Sequence, residues 1–180
     1  MRSRVLAAAL LLLSAAPALA DQIDPRLPAL FERLKAGPEA AVVAEAEIWQ
    51  IWSEIFDAES AELLAEGTAA MATRSWPTAL ERFDALVERS PNFAEAWNKR
   101  ATLHYLMGDY PASVADIQRT LALEPRHFGA LSGLGLIFMT IGDPEPAIES
   151  FEAALAIHPY MPGARQNIEG LRAQVGGQEL

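Results

Sequence analysis

Apolar positions along residues 60–161 recur at helical spacing inside a longer period of 34 residues. Three blocks, 60–93, 94–127 and 128–161, align without gaps. Small residues occupy positions 8 and 20 of each block, and a large apolar residue occupies position 24: Gly67, Ala79 and Phe83; Ala101, Ser113 and Ile117; Gly135, Ala147 and Phe151. Because small residues let helices approach closely, each block predicts an antiparallel helix pair with the large side chain filling the gap.

Turn residues divide each block at fixed positions. Position 32 is proline throughout, at Pro91, Pro125 and Pro159, which predicts the end of the second helix. Two blocks carry Gly-Asp at positions 15 and 16, as Gly108-Asp109 and Gly142-Asp143. The glycine predicts a left-handed C-cap and the aspartate an N-cap for the next helix. The first block has Arg74 at the glycine position, so a different turn is expected there.

This pattern resembles the tetratricopeptide repeat (TPR) family, and the middle block, from Ala94-Glu95-Ala96-Trp97 to Leu123-Glu124-Pro125, is the most similar. The resemblance implies an all-α fold, an α-solenoid of three helix pairs stacked into a right-handed superhelix. It assigns repeats to 60–93, 94–127 and 128–161. It also implies that the first helix of each pair lines a concave surface that binds peptides.

The segments that flank the repeats also predict helices. Residues 21–59 contain a short amphipathic helix at 25–35 and a second helix from about 38 to 56, with an apolar stripe of Val42, Ala46, Ile48, Trp49, Trp52 and Ile55. We expect Trp49 and Trp52 to pack onto the first repeat as an N-terminal cap. The alternative is a homodimer seam, since tryptophan is enriched at interfaces. Residues 162–180 predict a C-terminal capping helix that ends at Gly176-Gly177, followed by a tail.

Residues 1–20 have the pattern of a secretory signal peptide. Arg2 and Arg4 precede an apolar run, and Ala18-Leu19-Ala20 is a small-x-small cleavage pattern. We expect cleavage after Ala20 and a periplasmic or secreted protein without stable membrane insertion.

Composition removes several classes of function. The chain has 14 Lys and Arg against 24 Asp and Glu, a net charge of −10, which argues against nucleic-acid binding. It has no cysteine for a disulfide or thiolate metal site. No two histidines have metal-binding spacing, and there is no phosphate-binding glycine loop, so no catalytic residue, metal or cofactor is predicted. We expect His104 to pack in the core and His127 and His158 to lie on loops. We also expect outward, solvated carboxylates at Asp116, Glu149 and Glu152.

The concave surface implied by the resemblance is the candidate site. Its middle and third repeats offer Asn98, Lys99, Thr102, Tyr105, Ser132, Leu136 and Met139. One subset of the family clamps a partner's C-terminal carboxylate with Lys and Asn side chains, but only Lys99 matches that pattern. Stacked repeats are expected to pair Glu66 with Arg100.

Two functions are consistent with this sequence. The first is a non-enzymatic scaffold or adaptor in the bacterial periplasm that binds a protein or peptide partner through the groove. The second is a structural module that self-assembles, as a possible homodimer, through the tryptophan-containing helix.

Overall fold

The computed structural model describes residues 24–55 and 57–178, and these residues form α-helices joined by short turns without any strand. The predicted signal segment, residues 1–20, lies outside the described residues. The helices within the described ranges are α1 (Leu27–Lys35), α2 (Pro38–Ser53), α3 (Ala58–Ala72), α4 (Trp76–Arg89), α5 (Ala94–Met107), α6 (Tyr110–Leu123), α7 (Phe128–Ile141), α8 (Pro144–Ile157) and α9 (Ala164–Gln178). None of them is both long and apolar enough to cross a bilayer.

The predicted helix pairs are present as α3–α4, α5–α6 and α7–α8, with the small and large positions in contact. A Cβ atom placed on Gly67 would lie 2.6 Å from Cε1 of Phe83, and one on Gly135 would lie 2.8 Å from Cε1 of Phe151. In the middle pair the Ser113 hydroxyl donates a hydrogen bond to the carbonyl of Ala101 at 2.7 Å. The repeat pattern is therefore a packing requirement.

The turn of the first pair is the same as the others, which corrects the expectation of a different turn. Arg74 has φ 58°, in the left-handed region where Gly108 has φ 79°. In both turns the amide that follows the left-handed residue bonds to a carbonyl five residues back, from Ser75 to Ala70 at 2.8 Å and from Asp109 to His104 at 2.9 Å. Arginine thus adopts a conformation that costs non-glycine residues about 1–2 kcal/mol.

The N-terminal hairpin of α1 and α2 does not cap the first repeat, contrary to expectation. It folds back onto the start of α7, where its apolar residues form one cluster with Phe128. The buried residues of the hairpin are Leu27, Leu30, Phe31, Leu34, Ala41, Ala44, Ile48, Ile51 and Trp52. Val42, which is 69 % exposed, and Ala46 lie outside this stripe, so the predicted stripe was partly wrong. Trp52 is fully buried within the chain, which leaves it no free surface for a dimer seam.

The C-terminal helix α9 packs on α8 as predicted, through buried Ala164, Ile168 and Leu171. It continues through Gly176-Gly177 to Gln178 instead of ending at the glycines. The apolar end of the helix pairs is thereby covered.

Candidate functional site

A cleft of about 330 Å³ lies between α2 on one side and α5 and α7 on the other. Its floor is formed by Ser113 and Ile117 of α6. Its walls include Glu45, Trp49, Asn98, Thr102, Tyr105, Ser132 and Leu136. The structure therefore brings five of the seven predicted groove residues together, and adds a wall from α2 that the sequence did not indicate.

The two remaining groove residues lie elsewhere. Lys99 is one-third exposed and places its Nζ 3.2 Å from Oε1 of Glu95. Met139 packs against the apolar core shared by the second and third helix pairs. Ligand contact by any of the seven stays a prediction.

Two glycines of α7 line the cleft, and one of them gives it its depth. Gly129 and Gly133 are one helical turn apart and both line it. A Cβ atom on Gly129 would lie 2.6 Å from Cη2 of Trp49, so the indole occupies the space that a side chain would take. A Cβ atom on Gly133 would meet only Cδ1 of Ile117, at 3.7 Å. The path from the surface down to Ile117 thus stays open because position 133 has no side chain.

The buried carboxylate of Glu95 lies between the cleft residue Asn98 and the second inter-repeat turn. Glu95, with a fully buried side chain, accepts a hydrogen bond from Asn98 Nδ2 at 2.9 Å and lies 3.2 Å from Nε2 of His127. His127 Nδ1 accepts from the amide of Ala130 at 3.1 Å, so the proton of the neutral ring resides on Nε2 and is donated to Glu95.

These contacts set the ionisation of Glu95. Burial favours the neutral acid, but the hydrogen bond from His127, together with Lys99 and Asn98, outweighs burial and holds the pKa of Glu95 below its ordinary value. The carboxylate is therefore ionised at neutral pH. Both hydrogen bonds go to its Oε2, whereas the buried Oε1 has no hydrogen bond and lies 3.2 Å from Nζ of Lys99.

His127 and His158 lie on loops as predicted, but both are buried, which the sequence analysis did not predict. The His127 ring stacks on Trp52 with 4.2 Å between centroids and an interplanar angle of 10°. His158 lies 3.2 Å from Oε2 of Glu45 and packs edge-on against Phe128. They lie at repeat turns, and they are buried because the hairpin covers these turns. The adjacent rings of His127 and Phe128 were the sequence feature that could have indicated where the hairpin docks.

The predicted pair of Glu66 with Arg100 is absent. Glu66 pairs with Arg82 at 2.9 Å. Arg100 instead makes a two-pronged pair with Asp116, at 2.8 Å for each hydrogen bond, and it also binds Asp84. The bond to Asp116 raises the pKa of Arg100.

The expectation of outward, solvated carboxylates fails at Asp116. This residue is buried because it lies between α5 and α6 facing Arg100. Glu152, exposed as expected, pairs with Arg172 of α9.

A second concavity lies beside α3 and is wider and shallower. Its volume is about 700 Å³, and α3 contributes only small or apolar residues and one hydroxyl to it. Those residues are Ala61, Leu64, Ala65, Thr68, Ala69 and Ala72. Helix α2 reaches this region only through its end, at Ser53 and the following Glu54 and Ile55. Across the described ranges, no group of three His, Asp or Glu side chains is arranged to hold a metal ion.

Comparison with known proteins agrees with the repeat geometry. The family model described as tetratricopeptide repeat matches residues 64–106 and 99–162, which together span more than half of the chain. The chain belongs to the tetratricopeptide repeat family. A TPR repeat-containing protein of Rhizobium etli is 34 % identical over 154 residues, covering 84 % of this chain and 76 % of that protein.

Solved TPR structures share the fold. The Sgt2 TPR domain from Aspergillus fumigatus superposes with a TM-score of 0.64 at 21 % identity, over 68 % of this chain and 83 % of that domain. The first TPR of Spaghetti (RPAP3), bound to the HSP90 peptide SRMEEVD, gives a TM-score of 0.63 at 15 % identity, over 66 % and 94 %. In TPR terms, α3, α5 and α7 are the first helices of the three repeats, and the cleft lies on the first helices of repeats two and three.

Proposed function

We propose that this TPR protein is a non-enzymatic adaptor that binds a segment of another polypeptide in the cleft between α2, α5 and α7. TPR domains are interaction modules, and the Spaghetti (RPAP3) domain is bound to an HSP90 peptide. The observation that carries the proposal is the cleft itself, which reaches from the surface of the first helices down to Ile117. Its hydroxyl and amide groups, at Thr102, Ser132 and Asn98, are suited to hydrogen bonds with a backbone.

The charges in this cleft favour a partner unlike an acidic C-terminal peptide. Lys99, the one residue that matches the carboxylate-clamp pattern, is already held by Glu95. A carboxylate ligand would have to compete with that buried acid for the same ammonium group. The partner segment therefore does not bind through an acidic C-terminus.

The adaptor works in the bacterial periplasm. The sequence pattern of residues 1–20 supports this location. Expression of the chain with a C-terminal tag, followed by fractionation and N-terminal sequencing, tests this location. The expected product is periplasmic and begins at Asp21. A full-length product retained in the cytoplasm would contradict it.

Affinity capture from periplasmic extract tests binding through the cleft. Thr102→Arg places a bulky cation in the cleft mouth, whereas Thr78→Arg makes the same change on an exposed position of α4. We expect the wild type and Thr78→Arg to capture the same protein and Thr102→Arg to lose it. Equal capture by all three would show that the partner uses another surface.

A further inference from the structure

We propose that the cleft takes an extended segment that inserts one large aliphatic or aromatic side chain between α5 and α7, with lysine or arginine beside that anchor. This inference rests on the proposed function and specifies the chemistry of the partner. It follows from three features: a fixed wall, a narrow deep space, and an uneven distribution of charge.

The wall formed by α2 is fixed. Trp52 is completely buried against His127, and Phe128 packs against both Trp49 and Trp52. A guanidinium–ring contact of 4.1 Å, from Arg126 to Phe31, attaches α1 to the same turn. Opening the hairpin would expose this entire aromatic cluster, so a partner binds beside α2 and does not displace it.

The cleft has room for one inserted side chain. The space beside Gly129 is filled by Trp49, whereas the space beside Gly133 is open down to Ile117. A helix docks in a groove through a row of anchors at spacings of three or four residues, and one opening cannot take such a row. An extended chain presents single side chains to one face, so the cleft favours an extended segment.

The floor of the cleft is apolar and its rim is polar. Ala101, Ile117 and Leu136 surround the path that Gly133 leaves open, so the inserted side chain meets carbon atoms. At the rim, Thr102 donates its hydroxyl proton to the carbonyl of Asn98 at 2.9 Å and keeps its lone pairs for a backbone amide. This arrangement orients an apolar anchor inward and the partner's backbone along the rim.

The charges at the walls favour a basic neighbour for the anchor. Among the described residues that line the cleft, Glu45 of α2 is the charged one, and its Oε2 lies 3.2 Å from Nε2 of His158. Glu47 of α2 is paired with Arg33, and α7 contains no charged residue. Lys99 of α5 is paired with Glu95, and Arg100 with Asp84 and Asp116. The charged group on the cleft wall is thus a carboxylate, and it attracts lysine or arginine on the incoming segment.

A random 12-residue peptide library, displayed on phage and panned against the purified chain, tests the inference. We expect the selected peptides to share one Leu, Met, Phe or Trp with Lys or Arg nearby. Their affinities, measured by fluorescence anisotropy on synthetic copies, should fall at least tenfold when the anchor becomes alanine, and they should weaken as salt rises. Gly133→Leu should abolish binding, whereas Gly170→Leu, a glycine of α9 with open space around it, should leave binding unchanged.

Three results would overturn the inference. They are peptides with helical spacing of several apolar anchors, acidic peptides, or no peptides above background. Unchanged affinity of Gly133→Leu for a selected peptide would also overturn it, provided that its thermal midpoint matches that of the wild type. Capture of a periplasmic partner that Thr102→Arg loses but Gly133→Leu retains would leave the adaptor proposal standing and remove only the anchor.

Discussion

The concave faces of the first repeat and of the second and third repeats are built by the same 34-residue period but are covered differently. Along α3 the face is open and contributed largely by alanine. Along α5 and α7 it is partly enclosed by α2, which leaves the deeper cleft. The period determines how helices pack within each repeat, whereas residues outside the repeated packing positions determine which surface remains open.

The two inter-repeat turns explain where the hairpin docks. At the second turn, His127 and Phe128 present two rings that α2 covers with Trp49 and Trp52. The equivalent residues at the first turn are Phe93 and Ala94, and Phe93 packs into the core of repeats one and two. The turn that binds the hairpin therefore has Phe128 where the turn that does not bind it has the small residue Ala94.

Removal of the Trp52 ring should have the largest effect. Trp52→Ala should lower the free energy of unfolding by about 3–5 kcal/mol, because it empties a fully buried site stacked on His127. Urea denaturation measures this loss, and amide hydrogen exchange locates it. We expect α1 and α2 to lose protection first, while α3 and α4 keep theirs.

The matched control for Trp52→Ala is Val42→Ala, on the same helix but exposed. It should change stability by less than about 0.5 kcal/mol. If Trp52→Ala exposes α3 and α4 as much as the hairpin, the contrast between the two faces is incorrect and the chain unfolds as one unit.

The buried carboxylate of the second repeat should give a pH-dependent difference. Glu95→Gln removes the charge that holds Lys99 and should cost about 1–3 kcal/mol at pH 7. The pKa of Glu95 is lower in the folded chain, so its ionisation stabilises the fold above the ordinary value of 4.5, and this contribution is lost as the pH falls through the folded value. Urea midpoints of wild type and variant should therefore converge below pH 4.5.

The first repeat offers the comparison for Glu95. Glu62→Gln, on the exposed surface of α3, should follow the wild type at every pH. A constant gap between wild type and Glu95→Gln down to the acid limit would mean that the ionised form of Glu95 contributes no stability.

Sequence patterns predicted the features that depend on neighbours in the chain or on the repeat period. The helix pairs and the contact of Gly135 with Phe151 follow from spacing alone. The docking of α2 could not be derived this way, because it joins residues far apart in the sequence and outside the period. The burial of His127 and His158 followed from that docking, and the sequence patterns missed it for the same reason. The turn at Arg74 was predicted incorrectly because a local conformational cost of about 1–2 kcal/mol is overridden when both flanking helices must pack.

Three glycine substitutions separate what the repeats share from what distinguishes the cleft. Gly67→Ala and Gly135→Ala should each destabilise by about 1–2 kcal/mol, since the new methyl group meets Phe83 or Phe151 within 3 Å. Gly133→Ala should instead stabilise by about 0.5–1 kcal/mol, because alanine favours the helix and its Cβ finds room above Ile117. Thermal or urea unfolding checks both signs. Destabilisation by Gly133→Ala would mean that the cleft is not open at this point.

The smallest expected effect concerns the turn of the first repeat. Arg74→Gly should stabilise the fold by about 0.5–1 kcal/mol. Glycine removes the cost of the left-handed conformation, about 1–2 kcal/mol for arginine. Part of this gain is lost because glycine increases the conformational entropy of the unfolded chain. Gly108→Arg, the reverse exchange in the second repeat, should destabilise by a similar amount. Paired urea titrations measure both. If Arg74→Gly left stability unchanged while Gly108→Arg lowered it, the arginine side chain would contribute contacts that offset its strain. The first and second turns would then have the same backbone conformation but be stabilised by different interactions.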